Sequence, residues 1–214
     1  MKVISIAAQL MSGKDEFCDY LAKVLNDERL IWHRSAFANA VKDTYCHAFG
    51  VNRDFIERWK RINECPPGML MPVRQQLQFI GDGFRKIKDE IWIEIALRGD
   101  KDLIISDSRY INEARSVCAK KGLMFLMYRP GFLNDDPNPS EAQIRPLVDF
   151  CIEHLKEGPI DFNKLKEEHG EVCPDALQYY HYWLVNDKTL SDFRSKIARD
   201  IVPYVDDYFR KFHQ

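Results

Sequence analysis

The sequence predicts an α/β protein: a parallel sheet of about five strands with helices on both faces. Three observations predict it. Short, almost wholly apolar runs recur at residues 3–7, 103–107, 123–128 and 182–185, as expected of strands buried on both faces. Stretches of helical periodicity separate them, as in Phe17, Leu21, Val24 and Leu25. The junction between the first run and the first helix carries Ser12-Gly13-Lys14, and in open parallel sheets ligands bind beyond the carboxyl ends of the strands.

Each element follows in order. The strand at 3–7 leads into a helix at roughly 14–27. A second strand is expected within 30–37 and a helix over 38–49. Residues 50–71 are mixed, because Pro66-Pro67-Gly68 interrupts any regular element. Pro72 suits the first turn of the next helix. After the strand at 103–107 comes a helix over 112–121 that stops at Gly122, then the strand at 123–128. Residues 131–178 are polar, with helical pieces around 140–156 and 161–169. A last strand at 182–185 precedes a C-terminal helix beginning near Leu190, with Phe193, Ile197, Ile201 and Tyr204 on one face. The 214 residues fit one domain, 1–214. Within it, 50–98 reads as an acceptor-binding helical region and 132–178 as a lid or insertion.

Bulk properties narrow the function classes. The net charge of −2 leaves no global basic field, so a nucleic-acid polymer is not an expected partner. The six cysteines form no CxxC pair and no zinc spacing. Scattered thiols of this kind fit a reducing, cytoplasmic setting. No apolar stretch approaches the roughly 20 residues needed to span a bilayer. None of the six histidines sits in a Ser/His/Asp order or an HExxH pattern.

The segment Ala8-Gln9-Leu10-Met11-Ser12-Gly13-Lys14-Asp15 resembles a phosphate-binding loop with two departures. In GxxxxGK[ST] the glycines let amides curl around phosphates, the lysine reaches the outer phosphates and the hydroxyl holds magnesium. Here Ala8 replaces the first glycine and Asp15 the hydroxyl residue. An apolar strand before and an amphipathic helix after supply the right context, since a helix amino terminus attracts anions. Asp107 ends a strand as a metal-holding carboxylate does, although aspartate is also a common turn residue. Arg109 and Glu113 are four apart and could be a mere surface pair. Arg74 and Gln78 share one helix face, with Arg85 beyond; a guanidinium can grip a phosphate and an amide can read a base edge. A solvated polar face accounts for the same residues. Arg129 follows a buried strand, and Arg145 lies in the polar insertion; either could stabilise charge on a transferring phosphoryl group. The aromatic group Tyr179, Tyr180, Tyr182 and Trp183 reads as core or sheet edge rather than a stacking platform.

Taken together, four blocks resemble the deoxynucleoside monophosphate kinase family of tailed phages, a branch of the P-loop nucleoside monophosphate kinases. They are Ser12-Gly13-Lys14-Asp15, Phe37-Ala38-Asn39-Ala40-Val41-Lys42-Asp43, Arg74-Gln75-Gln76-Leu77-Gln78-Phe79-Ile80-Gly81, and Asp107-Ser108-Arg109-Tyr110-Ile111-Asn112-Glu113-Ala114 with Arg129-Pro130-Gly131. The family also carries aspartate at the position of Asp15. A weaker echo at Val185-Asn186-Asp187 is similar to the loop that borders the donor base. The resemblance implies a P-loop kinase fold, ATP and Mg2+ as cofactors, and a deoxynucleoside monophosphate as acceptor. It implies Lys14, Asp15, Arg109 and Arg129 as catalytic, and Ser12, Gly13, Lys14 and Asn186 at the ATP. Arg74, Gln78, Arg85, Arg109 and Arg145 would bind substrate, and Asp15 and Asp107 the metal. Another small-molecule P-loop kinase and a non-catalytic nucleotide-binding module are the alternatives. No membrane partner is expected, and the oligomeric state stays open, a homodimer included.

Overall fold

The computed structural model describes residues 1–26, 30–62, 64–132 and 139–212. Residue 27, at the end of the expected first helix, and residues 133–138, in the expected 132–178 insertion, lie outside them. The chain divides into two compact units, one of residues 1–35 and 99–214 and one of residues 36–98.

The first unit holds the sheet. In chain order it contains β1 (Val3–Ala8), α1 (Lys14–Leu25) and β2 (Trp32–Ser35). The second unit supplies α2 (Ala38–Phe49), α3 (Arg53–Trp59), α4 (Val73–Ile87) and α5 (Ile91–Ala96). The first unit resumes with β3 (Asp102–Ser108), α6 (Ile111–Ala119), β4 (Leu123–Tyr128), α7 (Pro139–His154), β5 (Gly158–Pro159), α8 (Phe162–His169), β6 (Tyr182–Val185), α9 (Leu190–Lys196) and α10 (Val202–Phe212). The strand order is β2-β3-β1-β4-β6-β5. Five strands are parallel, and the sixth, β5, is a two-residue antiparallel edge on β6. The expected α/β fold and its five parallel strands are therefore present; the short edge strand is an addition.

Every residue of β1 is buried, as a central strand covered on both faces requires. Its alternate residues Ile4, Ile6 and Ala8 join Phe17 and Leu21 of α1 and Ile197, Val205 and Phe209 of the C-terminal helices in one core cluster. The opposite face contacts α6, where Ala114 and Val117 are fully buried. The chain leaves β1 toward β3 and β2 but leaves β4 toward β6. The carboxyl ends of β1 and β4 thus form the topological switch point, where doubly wound sheets bind ligands.

Two departures from expectation have local causes. The strand expected within 30–37 spans only Trp32–Ser35, fixed at its start by the Trp32 N–H donating to Asn26 Oδ1 at 2.6 Å. The C-terminal helix is not continuous: a π-helical turn at Ile197–Ile201 separates α9 from α10. Phe193, Ile197, Ile201, Val205 and Phe209 are all buried at strict steps of four. A 3.6-residue repeat drifts off such a seam, and a wider turn corrects it. Val205 therefore takes the core position, while Tyr204 is only partly buried and its hydroxyl donates to His181 O at 3.0 Å.

The second unit is helical and packs around Tyr45, Ile56 and Val73. The stretch read as mixed contains α3, whose Asn52 cap accepts the Phe55 N–H at 2.9 Å. Helix α5 was not expected from the sequence. Within this unit the Trp92 Nε1–H donates to Gly81 O at 2.9 Å, which closes the α4–α5 corner around a buried indole.

Candidate phosphate-binding site

The loop between β1 and α1 has the backbone of an anion cradle. Ala8 is still strand: it pairs in register with Met127 and is fully buried. This accounts for the alanine, since the position needs a small apolar residue rather than a left-handed one. The left-handed positions come later, at Met11 (φ 62°) and Gly13 (φ 94°). Positive φ is uncommon for a non-glycine residue, and Met11 is also 65% exposed, so packing does not explain it. Alternating hands over successive residues form the concave nest that binds anions. Lys14 is the first residue of α1 and is only 9% exposed. Lysines are seldom so covered unless their charge is compensated. The Ser12 hydroxyl donates to Gln9 O at 2.8 Å, which tightens the turn from inside.

Residues distant in sequence hold this loop. The Asn186 Nδ2 amide donates to Ser12 O at 2.9 Å, and the Asn186 N–H donates to Tyr128 O at 2.8 Å, extending the β4–β6 ladder by one bond. A Cβ added to Gly13 would lie 2.6 Å from Asn186 Nδ2. Glycine is thus demanded twice at position 13, by its φ and by its neighbour. The Arg129 Nη1 donates to Met11 O at 3.4 Å, and the guanidinium lies 4.1 Å from the Phe132 ring centroid. Beside the loop, Gly13, Glu16, Arg129, Asn186, Lys188 and Phe193 line a pocket of about 210 Å³.

The expected carboxylates fall in different surroundings. Asp15 is largely exposed, and Arg34 Nη2 lies 3.7 Å from its Oδ1. Arg34 also donates through Nε to Asp19 at 2.6 Å. Nothing in the linear order of residues singles out Arg34: the pairing of β2 with β3 brings it beside α1. Asp107 is half-buried within β3, and the next residue, Ser108, pairs with Ala7 beside the loop's origin. Among the described residues no group of three or more His, Cys, Asp or Glu is placed to hold a metal ion by itself. Hard carboxylate oxygens near a phosphate cradle nevertheless suit magnesium, which takes one or two carboxylates and completes its shell with phosphate and water.

Glu113 is not a surface partner for Arg109. It is 3% exposed, and its carboxylate accepts the backbone N–H groups of Arg109 (2.8 Å) and Tyr110 (3.1 Å). The turn after β3 is therefore fixed by a buried carboxylate, which orients the backbone carrying Arg109. Arg145 lies exposed on α7, 3.9 Å from Asp149.

The remaining candidates belong to the second unit. Arg74 is exposed near the start of α4, and Gln78 is half-buried. The buried glutamine is Gln76, which accepts from the Tyr45 hydroxyl at 3.0 Å and donates to Met71 O. Arg85 lies across Gly81, where a Cβ would be 3.2 Å from its Nη1, and pairs with Asp82 at 3.2 Å. Burial pushes the Cys18, Cys118 and Cys151 thiols up to about 12, so these three stay protonated.

No protein-family model matches this chain, and no curated protein matches it. Among solved structures, a gluconokinase from Sinorhizobium meliloti 1021 is similar over 99% of this chain and 98% of its own, at 12% identity and a TM-score of 0.37. A likeness that weak carries neither family nor activity. What stands is an α/β protein whose switch point carries a phosphate-type loop. No described helix is long and apolar enough to cross a membrane.

Proposed function

We propose that the protein is a kinase that transfers the γ-phosphoryl group of ATP to a deoxynucleoside monophosphate. The observation that carries the phosphotransferase part is Lys14, buried at the first turn of α1 directly after left-handed Gly13. The acceptor rests on the resemblance of the Arg74–Gly81 and Asp107–Ala114 blocks to phage deoxynucleoside monophosphate kinases.

In this reading an oxygen of the acceptor phosphate attacks the γ-phosphorus. The bond from that phosphorus to the β,γ-bridging oxygen breaks, and its electron pair stays on ADP. The acceptor oxygen is already ionised near neutral pH, so the protein supplies position and positive charge rather than a strong base. The amides around Ser12 and Gly13 hold the donor phosphates, and Lys14 reaches between β and γ. Arg109 and Arg129 neutralise charge on the phosphoryl groups. Asp15 and Asp107 are the carboxylates that would hold a magnesium ion, which when bound would supply further positive charge at the phosphates. The pocket of Asn186, Lys188 and Phe193 takes the donor base. Arg74 and Arg109 hold the acceptor phosphate, Gln78 and Arg85 recognise the rest of the acceptor, and Arg145 joins Arg129 at the transferring group.

Coupled ADP release, measured with ATP and Mg2+ over a panel of deoxynucleoside monophosphates, tests this. Turnover should depend on a nucleotide acceptor. Turnover only with a sugar or other small acceptor would reassign the substrate, and ATP binding without acceptor-dependent turnover would remove the kinase reading.

A further inference from the structure

We propose that Asn186 is a positioning residue that aims a phosphate-binding amide of the loop, in addition to bordering the donor pocket. The inference rests on the nucleotide-binding reading above and assigns this residue a role of its own within it.

The geometry of one peptide plane carries it. No peptide bond in the described chain is cis, so Ser12 C=O and Gly13 N–H point in opposite directions within their shared plane. Asn186 Nδ2 donates to that carbonyl at 2.9 Å. Holding the carbonyl toward Asn186 turns the Gly13 N–H away from it. A nest binds anions only when its amides converge and its carbonyls diverge. Left unheld, Gly13 could flip this peptide, because glycine populates both signs of φ about equally. The flip would present a carbonyl where an anion needs an amide.

Asn186 is well placed to prevent it. It is 8% exposed, and its own backbone is anchored to Tyr128 O at 2.8 Å at the end of the β4–β6 ladder. Its amide also fills the space a Gly13 side chain would need. The clamp therefore connects the last parallel strand to the first loop, 174 residues apart in sequence. An asparagine that only contacted the base would not need this bond.

Inorganic tripolyphosphate separates the two roles, because it has phosphates and no base. Its binding and that of ATP are measured by calorimetry for the wild type, Asn186→Leu and Asn186→Ala, each checked by thermal melting. The leucine keeps the volume and loses the donor; the alanine keeps the fold open to a water in its place. Positioning predicts that both variants lose affinity for tripolyphosphate and ATP by similar factors, about tenfold, the worth of one hydrogen bond. It also predicts faster hydrogen exchange of the Gly13 amide, with melting little changed. Wild-type affinity for tripolyphosphate alongside weakened ATP would make Asn186 a base contact and overturn the proposal. Equal affinities throughout would overturn it too. Wild-type protein that binds neither ligand would instead remove the nucleotide-binding reading itself.

Discussion

The phosphate loop and the α4 segment both stand out in the sequence as clusters of polar and charged residues, but they are built in opposite ways. Gln9, Ser12 and Lys14 of the loop are buried, and the loop is held by side chains distant in sequence: Asn186 on Ser12 and Arg129 on Met11. On α4, Arg74 is exposed, and Arg85 is paired within its own helix to Asp82. A loop fixed by distant elements is organised before ligand arrives, and disturbing it disturbs function first. Substitutions on an exposed helix face generally disturb the fold less than those in a buried loop. The buried member of α4, Gln76, belongs to the packing of its unit.

The largest effect expected is at Lys14. Lys14→Ala should lower phosphotransfer by about two to three orders of magnitude, the usual loss of one placed charge-stabilising group. Measured turnover within tenfold of wild type would break the contrast, because the best-organised loop residue would then be dispensable.

Acid should separate the two units next. His181 is half-buried, and desolvation lowers its pKa to about 4; its Nδ1 accepts the Met124 N–H at 3.1 Å. The unfolded chain takes up a proton near 6.5 while the folded one resists until about 4. Stability is complete above 6.5 and is lost as pH falls through that window, by up to about 3 kcal/mol. In the second unit, burial tends to raise the Glu57 pKa, but hydrogen bonds from Lys60 and Lys42 hold it down to about 2. Its contribution is present above 4.5 and is lost only as pH falls from 4.5 toward 2. Hydrogen exchange at pH 5 should therefore loosen the strands of the first unit before the helices of the second. His181→Asn should flatten the dependence between pH 6.5 and 5; an unchanged profile would show that another group controls it.

Gln76→Leu should destabilise the helical unit by about 1–3 kcal/mol, because the Tyr45 hydroxyl would keep only the weak Met69 sulfur as acceptor and Met71 O would lose its donor. Calorimetric or chemical melting reads this directly, and an unaltered melt would place Gln76 among the solvated residues. The smallest effect expected is at Arg74. Arg74→Ala should raise the acceptor KM about tenfold, the worth of one hydrogen bond, and leave ATP affinity unchanged. A change in ATP affinity would contradict the assignment of Arg74 to the acceptor.

Much of this was legible in the sequence because it depends on local pattern. The strands at Leu123–Tyr128 and Tyr182–Val185 and the helix at Ala38–Phe49 fall at their expected bounds. Continuous apolar runs and helical periodicity need no partner to be recognised. Tyr180, Tyr182 and Trp183 are buried, as their grouping suggested. The short helices α3 and α5 were missed, since seven and six residues are too few to display a period. A surface pairing of Glu113 with Arg109 stayed open in the sequence because i, i+4 spacing does not say which way a carboxylate points; Glu113 is buried. Arg34 was passed over because its neighbours Asp15 and Asp19 are on another element.

The sequence by itself determined the parallel α/β layering, the strand–loop–helix at residues 3–25 and the lysine that begins the helix. These follow from the order of apolar and polar residues along one stretch of chain. Only the tertiary structure decided that Ala8 is strand rather than turn, that Met11 and Gly13 bear the left-handed backbone, and that Asn186 grips the loop. The physical reason is that a loop's conformation is fixed by what its carbonyls and amides bond to. Here those partners stand at the ends of β4 and β6, more than a hundred residues away.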